Sequence, residues 1–164
     1  MDLRGGSGVA AANIAVTYRE WGNFRQAFRW WRRTAGPHNG DAWLEVGYGL
    51  QYGIGTRRDR AAAVRAYRQA IKTYYTTEFG REEAQYHLAV ALLDRRALRD
   101  REEAVRLLNQ AAEDGNYPQA TDLLRQLNGG ETFRICRCRR QLARRLGGKD
   151  QCSLHRGRRT SRRP

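Results

Sequence analysis

Three cysteines and a histidine near the end of the chain have the spacing of a metal site. They form a Cys-x-Cys pair, a gap of thirteen residues and a Cys-x-x-His pair: Cys136, Cys138, Cys152 and His155. Three thiolates and one imidazole complete the tetrahedral ligand set of a structural zinc ion. Because metal binding can fold a short segment that has no core of its own, we expect residues 129–155 to be a small zinc-binding segment.

One equivalent of Zn²⁺ per chain is therefore the expected metal content of protein purified without chelators. Elemental analysis measures this content directly, and protein without stoichiometric metal would contradict the prediction. Two alternatives remain open from the residues alone: a disulfide between two of the cysteines, or cysteines that are redox-active or simply independent of metal.

The positive charge of the chain is concentrated in the same region. The formal net charge is +14, and residues 134–164 carry eleven arginines and one lysine against one acidic residue. Residues 1–133 are nearly balanced, with 19 basic and 16 acidic side chains. We expect residues 156–164 to be a disordered basic tail, which can attract nucleic acid by counterion release. A solvated basic end without any ligand is equally compatible with this composition.

The composition indicates neither a membrane protein nor a secreted one. No apolar run approaches the roughly 20 residues of a membrane-spanning helix. Residues 1–8 are glycine-rich, are predicted to be disordered, and lack the apolar region of a signal peptide. We therefore expect a cytoplasmic protein with no membrane partner. Since thiols stay reduced in the cytoplasm, this location favours metal ligation over a disulfide.

The residues before the metal motif are predicted to form seven helices. Apolar residues recur at helical spacing, and glycine, proline and asparagine separate the segments. The expected helices are 9–21, 24–35, 42–52, 60–75, 81–94, 101–114, and a seventh from Pro118 to Asn128. Asp41, Asp59 and Asp100 are the expected N-caps of the third, fourth and sixth helices. The pattern predicts an all-α repeat domain over residues 9–128.

Three copies of a helix pair can be aligned within this domain. The second helices align on small residues that are each followed four positions later by a large one: Ala27 and Trp31, Ala63 and Tyr67, Ala104 and Leu108. The copies are 36 and 41 residues apart, and periods of this size indicate a stacked repeat array. Because one helix pair cannot bury both of its faces, each pair needs a neighbour.

The helix pairs resemble the Sel1-like repeat, a relative of the tetratricopeptide repeat. The second copy carries the resemblance through Gly47, Gly53, Gly55, Asp59, Ala63, Tyr67 and Ala70. The third copy matches at Ala104 and Ala111 but lacks both loop glycines. The resemblance implies an α/α superhelix of about three stacked hairpins plus a capping helix, with a concave ligand-facing surface. Members of this family usually act as interaction scaffolds without catalysis.

Side chains on the first helices of each pair are the candidates for binding a partner. Those that miss the packed face are Trp43, Glu45, Tyr48, Tyr52 and Tyr86. Aromatic residues are enriched at interface hot spots. The chain contains no phosphate-binding loop and no nucleophile motif. We therefore expect a protein- or peptide-binding scaffold rather than an enzyme. The alternative is a nucleic-acid-associated protein whose tail contacts phosphates.

Overall fold

The computed structural model describes residues 4–94, 98–113 and 117–129. These residues form seven α-helices and no strand: α1 (Arg4–Glu20), α2 (Phe24–Thr34), α3 (Gly40–Tyr52), α4 (Arg60–Lys72), α5 (Glu78–Leu93), α6 (Leu98–Ala112) and α7 (Pro118–Asn128). The predicted all-α class is thereby confirmed. Cys136, Cys138, Cys152, His155 and the basic tail lie outside the described residues. Within the described ranges, no helix combines the length and the apolar composition that crossing a bilayer requires.

The helices pack mainly on their neighbours in sequence. The most extensive contacts join α1 to α2, α3 to α4 and α5 to α6. Successive pairs then meet through α2 and α3, through α4 and α5, and through α6 and α7. Helix α3 also contacts α5, so the first helices of the second and third pairs touch each other directly. The duplicated sequence segments therefore lie against one another.

Two clusters of buried side chains form the core. The larger one runs from α3 to α7, and its largest fully buried members are Tyr67, Leu88, Leu92 and Leu108. The smaller one contains only Phe28, Val46 and Ala66. Trp43 and Leu50 of α3 pack against both clusters, so α3 joins the two parts of the core.

Small residues at the helix crossings allow the helices to approach closely. The alanines at the aligned positions, Ala63, Ala70, Ala104 and Ala111, have no exposed surface. A methyl group added at Gly47 would lie 2.6 Å from the ring of Tyr67, which is itself fully buried. Glycine at this position therefore lets α3 pack against the Tyr67 ring.

The loop between α3 and α4 contains Gly53 and Gly55, the two loop glycines of the predicted repeat pattern. Gly53 has a φ of 74° and ends α3 in the left-handed conformation, with its N–H donating to the carbonyl of Gly49 at 2.8 Å. Gly55 has a φ of 69°. Asp59 then accepts a hydrogen bond from the N–H of Ala62 at 2.9 Å, which confirms it as the N-cap of α4.

The other two predicted N-caps are wrong. Helix α3 begins at Gly40, and Asn39 caps it by accepting from the N–H of Ala42 at 3.0 Å. Asp41 instead accepts from the backbone N–H and the hydroxyl of Thr77, at 3.2 and 3.0 Å. Asp41 therefore connects the start of α3 to the chain before α5. Asp100 lies in the first turn of α6, because that helix begins two residues earlier.

Besides α3 and α6, the helices α1 and α5 begin earlier than the periodicity predicts. Helix α1 begins at Arg4 rather than at residue 9, so the predicted disordered segment 1–8 partly belongs to this helix. Helix α5 begins at Glu78 rather than at residue 81, because the Thr77 hydroxyl accepts from the N–H of Gly80 at 3.0 Å and caps the additional turn.

Candidate partner-binding face

The residues predicted to bind a partner from α3 do not share one side of that helix. An α-helix turns by about 100° per residue, so Tyr48 and Tyr52 are about 40° apart and Glu45 is about 60° from Tyr48. Trp43, five residues before Tyr48, lies about 140° away around the axis. Tyr48, Tyr52 and Glu45 therefore line one side of α3, and Trp43 lies on another.

Trp43 and Glu45 have structural contacts. The half-buried indole of Trp43 donates its N–H to the carbonyl of Gly36 at 3.2 Å, which holds the segment before α3. The Glu45 carboxylate forms an ion pair with Arg19 of α1 at 3.1 Å, and only 19% of its side-chain surface is exposed. These contacts tie α3 to the elements before it.

Four tyrosine rings surround His87 of α5, which is only 3% exposed. The ring centroids of Tyr48, Tyr52 and Tyr86 lie 5.3, 6.1 and 5.3 Å from that of the imidazole, each with steeply inclined planes. The ring of Tyr67 stacks on the imidazole at 5.8 Å with an interplanar angle of 16°. Tyr48 is 5% exposed, so the structure places it beneath the surface, not on it.

Both nitrogens of the His87 ring face polar groups. The Tyr52 hydroxyl lies 3.5 Å from Nδ1, and a carboxylate oxygen of Glu83 lies 3.6 Å from Nε2. The Tyr67 hydroxyl, whose ring stacks on the imidazole, donates to Oε1 of Gln51 at 2.6 Å. These contacts hold the rings of Tyr52, Tyr67 and His87 in their orientations.

The aromatic contacts continue from His87 toward α7. The Tyr86 ring lies 5.2 Å from that of Tyr117, and Tyr117 lies 5.8 Å from Phe79. Phe79 is 58% exposed, while Tyr52 and Tyr86 are half-buried. We call the three accessible rings of this row, Tyr52, Tyr86 and Phe79, the aromatic face. His87 and Tyr117 are only 3% and 6% exposed, so they link these rings beneath the surface. The aromatic face therefore spans α3 and α5.

Of the five predicted partner-binding residues, the structure brings Tyr48, Tyr52 and Tyr86 together around His87. It adds Phe79 and Tyr117, which the sequence reasoning did not select. Phe79 precedes Tyr86 by seven residues, or two helical turns, and this spacing was the signal that could have placed both on one side of α5. Tyr117 gave no such signal, because it lies outside a helix.

The aromatic face offers rings and hydroxyl groups in one row. Tyrosine and phenylalanine bury large areas against a partner with little loss of side-chain freedom, and tyrosine adds a hydrogen-bonding group. The buried imidazole contacts the rings of Tyr52 and Tyr86 and stacks on the Tyr67 ring. Such a surface fits the apolar side chains of a bound peptide.

Comparison with protein-family models gives no match for this chain, and a search of curated proteins finds no significant similarity.

Proposed function

We propose that the chain is a non-catalytic scaffold of stacked helical pairs that binds a protein or peptide segment on its aromatic face. In this proposal the three helix pairs and α7 form an α/α superhelix like that of Sel1-like repeat proteins, with α7 as the closing helix. The aromatic face lies on the first helices of the second and third pairs, the position of the ligand-facing surface in that architecture. A zinc ion held by the segment 129–155 is part of the proposal.

The observation that carries this proposal is the group of three accessible rings, Tyr52, Tyr86 and Phe79, which are linked beneath the surface through His87 and Tyr117. The row crosses from α3 to α5 and ends at Phe79, whose ring is more than half exposed. Interface hot spots are enriched in aromatic residues that sit in well-packed surroundings, and the packed cluster around His87 provides such surroundings for Tyr52 and Tyr86.

Substituting Tyr52→Ala together with Phe79→Ala is expected to remove partner binding. Truncation of one hot-spot aromatic typically weakens binding by about 2 kcal/mol, which corresponds to roughly thirtyfold in Kd. The measurement has two stages. Quantitative mass spectrometry of affinity-purified complexes identifies a partner of the unsubstituted protein, and titration then gives its Kd for each variant.

The matched control carries Trp21→Ala and Tyr74→Ala, two aromatic residues that are 75% and 84% exposed and lie outside the aromatic face. This control should keep the partner at the unsubstituted Kd. If both double variants bind the partner equally well, the aromatic face is not the binding surface. Thermal melts of both variants separate loss of contact from loss of folding.

A further inference from the structure

The charge of the folded region is divided unevenly among its helices. Helices α2 and α4 each contain four basic residues and no acidic one. Helix α3 contains two acidic residues and no basic one, and α5 contains three acidic residues against one arginine and one histidine. The near balance of residues 1–133 therefore hides two strongly basic helices.

Six cations of α2 and α4 have no ion pair within the described part of the chain. On α4, Arg60 pairs with Asp94 at 2.6 Å and Arg68 pairs with Glu103 at 2.9 Å. The six that remain are Arg25, Arg29, Arg32 and Arg33 of α2 with Arg65 and Lys72 of α4, and all six are exposed. We call these six residues the basic face.

Helices α2 and α4 both contribute to the smaller buried cluster. Phe28 of α2 and Ala66 of α4 belong to the same small buried cluster, which the two helices cover together with α3. Arg29 and Arg65 directly follow and precede those buried residues in sequence, and both are exposed. Arg25, Arg29 and Arg33 follow one another at intervals of four residues, or about 6 Å along the axis.

We propose that the basic face binds the phosphate backbone of a duplex nucleic acid. A row of guanidinium groups on a rigid helix matches a polymer that carries one negative charge per strand about every 3.4 Å. Arginine forms paired hydrogen bonds with phosphate oxygens and stays charged at every relevant pH. The basic face shares no residue with the aromatic face or with the segment 156–164, and the proposal does not depend on the proposed function.

The aromatic residues among the arginines of the basic face favour a duplex over a single strand. Proteins that bind single strands stack the unpaired bases on aromatic rings. Two half-buried tryptophans lie among these arginines. Trp31 packs against the smaller buried cluster, and the guanidinium of Arg33 lies over the Trp30 ring at 5.5 Å. One side of the Trp30 ring is therefore occupied by the protein's own cation, which leaves less ring surface for stacking an unpaired base.

The test compares full-length variants that lose the same charge in different places. The face variant replaces Arg25, Arg29, Arg32 and Arg65 by glutamine. The tail control makes the same replacement at Arg158, Arg159, Arg162 and Arg163. A second control makes it at Arg99, Arg101, Arg106 and Arg125 of α6 and α7. Fluorescence anisotropy with a random-sequence 20-base-pair duplex gives Kd over a range of salt concentrations.

The face variant should bind the duplex at least about tenfold more weakly at low salt than either control. Each lost phosphate contact lowers the slope of log K against log salt by about 0.9, so a decrease of about 2 to 4 is expected. A smaller variant, Arg65→Gln with Lys72→Gln, should show about half of this decrease. All substituted positions on α2 and α4 are exposed, so each variant is expected to fold. Circular dichroism checks this expectation.

Four results would overturn the proposal. The first is an unsubstituted protein that does not bind the duplex. The second is an equal loss of affinity in the face variant and in both controls, which would mean that only total charge matters. The third is tighter binding to a 20-nucleotide single strand than to the duplex. The fourth is equally tight, face-dependent binding to phosphatidylserine vesicles, which would assign the surface to an anionic lipid layer.

Discussion

Replacing Gly55 by alanine is expected to lower the free energy of unfolding by about 2 to 5 kcal/mol. This loss is the sum of two costs, a side chain in the left-handed conformation and a steric overlap. Gly55 has a φ of 69°, a conformation that a side chain disfavours. In addition, a methyl group at this position would overlap the backbone carbonyl of Phe24 at the start of α2. Because the obstructing atom belongs to the backbone, a change of rotamer cannot relieve the overlap. Urea unfolding followed by circular dichroism measures the change.

The matched control is Gly22→Ala. Gly22 has nearly the same φ, 74°, but a methyl group there would have no atom within 4 Å. This variant therefore isolates the conformational contribution, about 1 to 2 kcal/mol. If the two substitutions destabilise the protein equally, α2 does not approach the loop at Gly55 as closely as described. The same result would remove the steric reason for glycine at this position.

Replacing Tyr67 by alanine is the second change with a large expected effect, a loss of about 3 to 5 kcal/mol in the free energy of unfolding. The Tyr67 ring has no exposed surface, stacks on His87, and lies against Gly47. Its removal creates a cavity between α3, α4 and α5. It also removes the hydroxyl that donates to Gln51, a buried side chain, and the unsatisfied acceptor accounts for about 1 to 3 kcal/mol of this loss.

Tyr74→Ala is the control for this second prediction, since the same residue type is 84% exposed seven positions later. Its expected effect on stability is within about 0.5 kcal/mol. The variant Tyr67→Phe isolates the hydrogen bond to Gln51, because it keeps the ring and removes only the hydroxyl. A Tyr67→Ala protein that melts at the same temperature as Tyr74→Ala would contradict the description of the core.

The sequence predicted the helices because their signals are local. Apolar spacing places seven helices, and the Asp59 cap and the two loop glycines follow from hydrogen-bonding and φ preferences within a few residues. The helix starts were less accurate, because competing caps lie close together: Asn39 and Asp41 are both good N-cap residues, and only tertiary contact with Thr77 decides between them.

The candidate site was only partly predictable for a different reason. The choice of Trp43 and Tyr48 rested on which side chains miss the packed face, but that face depends on neighbouring helices that are remote in sequence. Tyr48 is covered because α5 brings His87 against it. The basic face was missed because the charge was summed over residues 1–133, and a sum cannot show that the acidic groups occupy different helices from the arginines.

The unequal division of the core gives the molecule a weak end. Among the described residues, the pair α1–α2 is joined to the rest by a cluster of three buried residues, the Arg19–Glu45 ion pair and the contact of Phe24 with Gly55, whereas the other helices share one large cluster. In chains whose helix pairs contact only their neighbours, the stability is approximately the sum of the stabilities of the pairs and of the interfaces between them. Local opening will therefore start at the amino-terminal pair. It will stop at α3, because Trp43 and Leu50 of this helix pack against both clusters. Thermal motion will uncover the inner side of α2 long before the tyrosines around His87 separate.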